Sequence, residues 1–127
     1  MENQQNFAGL WHNQYGSEMK LEVDSNGRVF GKFRTNVGRS ETKEQWAQSW
    51  FDIVGFVNGD LISFAVNFHS TGTLSAVSGR FIPKEKSKTG IQRIETVGYT
   101  SFNLPEKDQW RSTTITSAVY EPGPAEI

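Results

Sequence analysis

The groups in this chain best placed to do chemistry are hydrogen-bonding amides and hydroxyls rather than acids, bases or nucleophiles. In Gly9-Leu10-Trp11-His12-Asn13-Gln14-Tyr15-Gly16-Ser17, a strand reading puts Trp11, Asn13, Tyr15 and Ser17 on one face. In Gly31-Lys32-Phe33-Arg34-Thr35-Asn36-Val37-Gly38, it groups Phe33, Thr35 and Val37. Burying polar groups without partners costs free energy. Faces that mix large apolar groups with amides and hydroxyls are therefore poor core. They suit the lining of a small-molecule pocket, in which a few fixed polar groups orient the ligand.

Other chemistries find little support. The chain has no cysteine, which excludes disulfides, thiolate catalysis and cysteine-ligated zinc. His12 and His69 are its two histidines, far apart and without clustered carboxylates, so no metal centre is expected. His12 should point away from the Asn13 face. There is no Gly-x-Ser-x-Gly elbow, phosphate-binding glycine loop or Glu-x-x-His pair. No acid and base converge, so a catalyst is not expected, nor is a cofactor. The net charge of -1 and pI of about 6.1 argue against a nucleic-acid partner. No apolar run approaches the ~20 residues of a membrane helix. Lys84, Lys86 and Lys88, interrupted by Glu85, read as a solvated loop. The start, Met1-Glu2-Asn3-Gln4-Gln5-Asn6, does not resemble a signal peptide, which leaves an intracellular protein or a mature secreted form.

The elements that would position these groups are strands. Helical periodicity is weak, and period-two segments broken by turn residues dominate. They predict strands over 10–15, 19–23, 29–37, 45–57, 61–68, 74–82, 91–100 and 110–120. Asp24-Ser25-Asn26-Gly27 and Asn58-Gly59-Asp60 are turn signals, and Pro122 and Pro124 mark a frayed tail. The 127 residues fit one domain with an ordered core over about 8–121. Eight sequential strands with short connections predict an all-β, antiparallel, up-and-down barrel. Eight strands leave an interior filled by side chains or just wide enough for one small ligand.

From about Gly9 to Tyr120, the chain resembles the avidin and streptavidin family. The most specific echoes are Trp11 to Ser17 and Gly31 to Gly38; Ser75-Ala76-Val77-Ser78-Gly79 and Trp110-Arg111-Ser112-Thr113 are weaker ones. The resemblance implies an eight-stranded barrel that binds biotin at one open end and assembles into dimers or tetramers. It assigns Asn13 and Ser17 as donors to the ureido oxygen of biotin and Thr35 as acceptor of a ureido N–H. It places Arg39 near the ligand carboxylate, and Thr73 and Ser75 near the valerate chain. Phe68, Val77 and Gly98 fall at aromatic walls, with Tyr99 in place of Gly98 if the register slips by one. Trp110 matches a tryptophan lent across a subunit interface. Phe33 stands where the family has a tyrosine donor, and Ala118 where it has an acceptor carboxylate.

These departures predict a degenerate pocket with weakened affinity, because each lost buried partner costs about 1–3 kcal/mol. The leading expectation is thus a non-enzymatic binder of biotin. The alternative is an avidin-like barrel that has lost biotin and holds another small molecule or a sugar; a cavity-shaped enzyme is a third reading that no residue supports. Trp46, Trp50, Ile94 and Val97 are in excess of one core and predict a homodimer or homotetramer.

Overall fold

The computed structural model describes residues 4–35, 50–69 and 72–125. Within them, β1 (Gly9–Asn13), β2 (Glu18–Val23), β3 (Arg28–Arg34), β4 (Phe51–Asn58), β5 (Leu61–Phe68), β6 (Thr73–Ile82), β7 (Arg93–Phe102) and β8 (Thr113–Pro122) follow in order. Each pairs antiparallel with the next, and β8 returns to β1, closing the barrel. The expected all-β, eight-stranded, up-and-down architecture is the one observed. Alternation is its cause: Ile62, Phe64, Val66 and Phe68 of β5 are all buried, while Leu61, Ser63 and Asn67 between them face out.

Turn chemistry joins the strands as the residues predict. Asp24 Oδ1 accepts the N–H of Asn26 at 2.8 Å and of Arg28 at 2.9 Å, and Gly27 takes a φ of +79°. Strand ends shift where side chains compete for the backbone. β1 stops at Asn13 because residues 14–16 turn instead of extending. β8 starts after a 3-10 turn at Glu106–Arg111, in which Asp108 N–H donates to Pro105 O at 2.8 Å. The tail is not frayed at Pro122: that residue ends β8, Gly123 N–H donates to Leu10 O at 2.9 Å, and Ala125 N–H donates to Glu18 Oε2 at 2.7 Å.

One end of the barrel is plugged. The 3-10 turn Gln4–Phe7 inserts Phe7 edge-on against Phe81, their centroids 5.8 Å apart, and Trp11 meets the other side of Phe81 at 6.5 Å. Trp11 Nε1 donates to Phe7 O at 2.9 Å, so its polar atom is satisfied while its ring is buried. Trp11 is therefore core, and the face it was expected to share with Asn13 divides along the barrel axis.

The outer surface carries an unusual row. Cross-strand register aligns Phe30, Val54, Ala65, Ala76, Tyr99 and Ile115 side by side from β3 to β8. Ile115 is 67% and Tyr99 55% exposed. Phe56 and Val97, both exposed, sit one pleat away. Of the residues expected to mediate assembly, Val97 lies on this face. Ile94 points inward and is 0% exposed, because its position on β7 has the opposite parity. Trp50 is only half-buried, under Lys20 and Arg34, and Trp46 lies outside the described residues.

Candidate functional site

The end opposite the plug gathers the polar inward groups. Asn13 is the last residue of β1, and its side-chain Oδ1 accepts the N–H of Tyr15 and of Ser17, each at 3.0 Å. Asn13 N–H in turn donates to Ser17 O at 3.0 Å. This Asx-type turn is why the strand ends there, and Gly16 completes it with a φ of +84°, a left-handed conformation that favours glycine. The turn folds Ser17 back into the barrel beside Asn13, where its Oγ donates to Thr35 Oγ1 at 3.4 Å. Three of the expected polar groups, Asn13, Ser17 and Thr35, thus meet at one place.

Tyr15, expected beside them on a strand, is instead at the tip of the turn. It is exposed, and its hydroxyl donates to Ser117 O at 3.2 Å. With Gln14 Oε1 accepting Val119 N–H at 2.9 Å, it continues the β1–β8 seam through side chains where the main-chain ladder has stopped. Its role is to close the barrel wall rather than to line the mouth. Grooves of about 200 and 260 Å³ flank this seam. The inward residues Phe33, Phe68 and Ser75 line neither groove.

The remaining walls come from β3 to β8. Phe33 and Phe68 meet edge-to-face at 5.8 Å, and Phe51 packs on Phe68 at 5.0 Å and on His69 at 5.5 Å. On β6, Thr73, Ser75 and Val77 share the inward parity, and Ser75 Oγ lies 2.8 Å from Thr100 Oγ1. On β8, Ala118 is buried and faces in. Its carbonyl accepts Thr96 Oγ1–H at 3.0 Å.

Tyr99 corrects a second expectation. On β7 the inward residues are Ile94, Thr96, Gly98 and Thr100, so Tyr99 points to solvent and the wall position belongs to Gly98. A Cβ at Gly98 would lie 3.2 Å from Val77 Cγ2, directly across the β6–β7 pairing. The two small residues are thus coupled, and a larger side chain at 98 requires Val77 to give way. Val37 and Arg39 lie outside the described residues, as does the side chain of Trp110.

Three further residues join the site. Phe51 was legible as apolar but not as wall, because β4 was expected to start at 45. Thr100 was recoverable from the Thr96, Gly98, Thr100 alternation. Tyr120 is buried and paired with Asn13 across the β1–β8 ladder. Burial pushes its hydroxyl up to about 12, against a smaller downward pull from the neighbouring Asn13 side chain.

Outside the mouth, buried Glu18 accepts Arg34 Nε at 2.8 Å and Arg34 Nη2 at 2.5 Å through Oε1. The guanidinium lies 4.3 Å from the Trp50 ring centroid. Arg34 is therefore tied to the outer wall, as strand alternation requires. Among the described residues no group of three or more His, Asp or Glu side chains could hold a metal ion, and no helix is long and apolar enough to cross a membrane.

The inward face at this end combines an aromatic side formed by Phe33, Phe51 and Phe68 with the amide of Asn13 and the hydroxyls of Ser17, Thr35 and Ser75. Such groups suit a small molecule that presents a carbonyl-type acceptor. The avidin family model matches residues 1–122. Among solved structures, the chain is similar to xenavidin, with a TM-score of 0.77 and 19% identity over 93% of this chain and 98% of that one. It is also similar to a biotin-binding protein from chicken, with a TM-score of 0.76 and 19% identity over 95% of this chain and 98% of that one.

Proposed function

Because this chain belongs to the avidin family, we propose that it is a ligand-binding protein rather than a catalyst and that biotin is its ligand, held in the open end of the barrel. The observation that carries this reading is the clamped Asn13 amide. Both Oδ1 bonds are internal, so the group can offer a ligand only N–H, and it stands beside the Ser17 and Thr35 hydroxyls. A ureido oxygen is an acceptor of the kind this trio suits. The Phe33, Phe51 and Phe68 cluster offers apolar surface for the rest of the ligand.

Affinity should fall well below the family's best. Biotin–streptavidin stands near the ceiling of non-covalent affinity, about -18 to -21 kcal/mol. Phe33 lacks a hydroxyl, Ala118 a carboxylate, and Val77 and Gly98 an aromatic wall. The same small residues support a second reading, in which a bulkier small molecule or a sugar fills the open end of the barrel.

Calorimetric titration with biotin separates the two. Saturable one-to-one heat with a thermal shift is expected. No heat and no shift at ~100 μM biotin, where ligands of micromolar affinity saturate, would overturn biotin in favour of the second reading.

The exposed row from Phe30 to Ile115 supports a further part of this proposal, that the chain forms a homodimer through the outer face of β3 to β8. Small Ala65 and Ala76 at its centre keep that face flat, and large apolar groups flank them. Contiguous apolar surface of this kind marks interaction sites.

A further inference from the structure

The inward face of the open end changes chemistry partway round the barrel. Cross-strand pairing sets Ile53, Val66, Ser75, Thr100 and Thr114 side by side from β4 to β8. Paired residues share a face of the sheet. Ile53, Val66 and Ser75 are buried, so the row faces in. It is aliphatic on β4 and β5 and carries only hydroxyls on β6 to β8. Thr116, paired with Gly98, adds another hydroxyl one step deeper.

The fold does not require these hydroxyls. Valine has the same β-branched shape and suits a strand as well as threonine does. Ser75 is buried, and its hydroxyl is matched by Thr100 Oγ1 at 2.8 Å. Thr114 and Thr116 are exposed at inward positions, so their hydroxyls face water that a ligand in the open end would displace. Each hydroxyl can both donate and accept.

In the closed ring of eight strands, β6 stands across from β2, and Ser17 directly precedes β2. A small molecule held by its acceptor at Asn13, Ser17 and Thr35 therefore turns its far edge toward β6 and the hydroxyls that continue to β8. We propose that Thr100, Thr114 and Thr116 are specificity-determining residues. They select a cyclic ligand with hydrogen-bonding groups on both edges and an apolar body that rests against Phe33, Phe51 and Phe68. The thioether edge of biotin, opposite its ureido carbonyl, is a weak acceptor for such a wall. The same ring with its sulfur oxidised to the sulfone presents two acceptor oxygens there. The proposal rests on the reading of the open end as a ligand site, and not on biotin as the ligand.

Calorimetric titration of the full chain with biotin and with biotin sulfone tests it. The sulfone should bind about tenfold more tightly, the worth of one added hydrogen bond. In the double variant Thr114→Val, Thr116→Val, both at exposed positions, the thermal midpoint should stay unchanged and the two ligands should bind equally. A preference for biotin in the unaltered chain, or a sulfone preference that survives both substitutions, would overturn the proposal.

If neither compound binds, the biotin reading fails, and the threonine methyl resonances decide this one. Methyl β-D-glucopyranoside is polar on both edges and has no ureido group. Titrating it into the full chain should shift the Thr114 and Thr116 methyl resonances saturably. No saturable shift would then overturn the proposal as well.

Discussion

Asn13 and Ser17 are bound to each other in both directions: Asn13 N–H donates to Ser17 O, and Ser17 N–H donates to Asn13 Oδ1, each at 3.0 Å. One amide oxygen thereby ends a strand and shapes the turn that follows. The oxygen is committed to structure, so the binding role proposed for this side chain falls to its nitrogen.

That division can be tested at Asn13. An Asp there keeps an oxygen for the Tyr15 and Ser17 N–H groups but replaces the amide donor with an acceptor. Asn13→Asp is expected to retain a near-native thermal midpoint and to lose ten- to a hundredfold in biotin affinity, about the worth of one or two hydrogen bonds. Asn13→Ala is expected to lose both affinity and about 1–3 kcal/mol of stability. Calorimetry paired with thermal melts checks both. A binding loss without a stability difference between the two variants would place the clamp elsewhere.

Glu18 is the buried anchor of the outer wall, 3% exposed, with Arg34 on one oxygen and Ala125 N–H on the other. Removing one partner of a buried pair strands the other, at a cost of about 3–5 kcal/mol. Glu18→Ala should lose close to that much stability in urea unfolding and release the tail beyond Pro122 to proteolysis. A loss below about 1 kcal/mol would mean that water replaces the carboxylate freely.

Tyr120 gives the protein a pH limit. Its folded value of about 12 lies above the ordinary tyrosine value of 10.0. The neutral phenol is the form the fold favours, so this contribution is present in full below pH 10 and is lost as pH rises to 12. The slope is on the order of 1 kcal/mol per pH unit in that window. Denaturant unfolding at pH 9, 10 and 11 should show stability falling faster in the unaltered protein than in Tyr120→Phe. Parallel curves would remove Tyr120 as the cause.

The apolar row predicts an oligomer that one charge can break. A Glu at position 115, the β8 end of the row, would set a carboxylate within the proposed interface, and a two-fold dimer would carry it twice. Light scattering should give a dimer or larger for the unaltered chain and a monomer for Ile115→Glu. A monomer already in the unaltered chain at micromolar concentration would refute the interface.

Strand identity was legible because it is local. The alternation of Ile62, Phe64, Val66 and Phe68, and the turns at Asp24–Gly27 and Asn58–Asp60, are set by residues within a few positions of one another. Eight such segments with short connections also sufficed to predict the barrel, since antiparallel neighbours in sequence become neighbours in space. That Asn13 and Ser17 carry polar groups on one face was readable for the same reason, whereas their meeting with Thr35, on another strand, was an expectation that the family resemblance supplied.

The tertiary structure decided what depends on partners far along the chain. Tyr15 left the expected face because Asn13 caps its own strand, and its hydroxyl found Ser117 instead. Tyr99 and Gly98 exchanged roles because a one-residue change of register moves a side chain to the other face of the sheet. Tyr120 entered the site only when β8 closed against β1, over a hundred residues after Asn13. Sequence thus determined which strands exist and which polar groups they carry; closure of the barrel determined which of those groups face one another, because inward direction and cross-strand register are properties of the whole sheet.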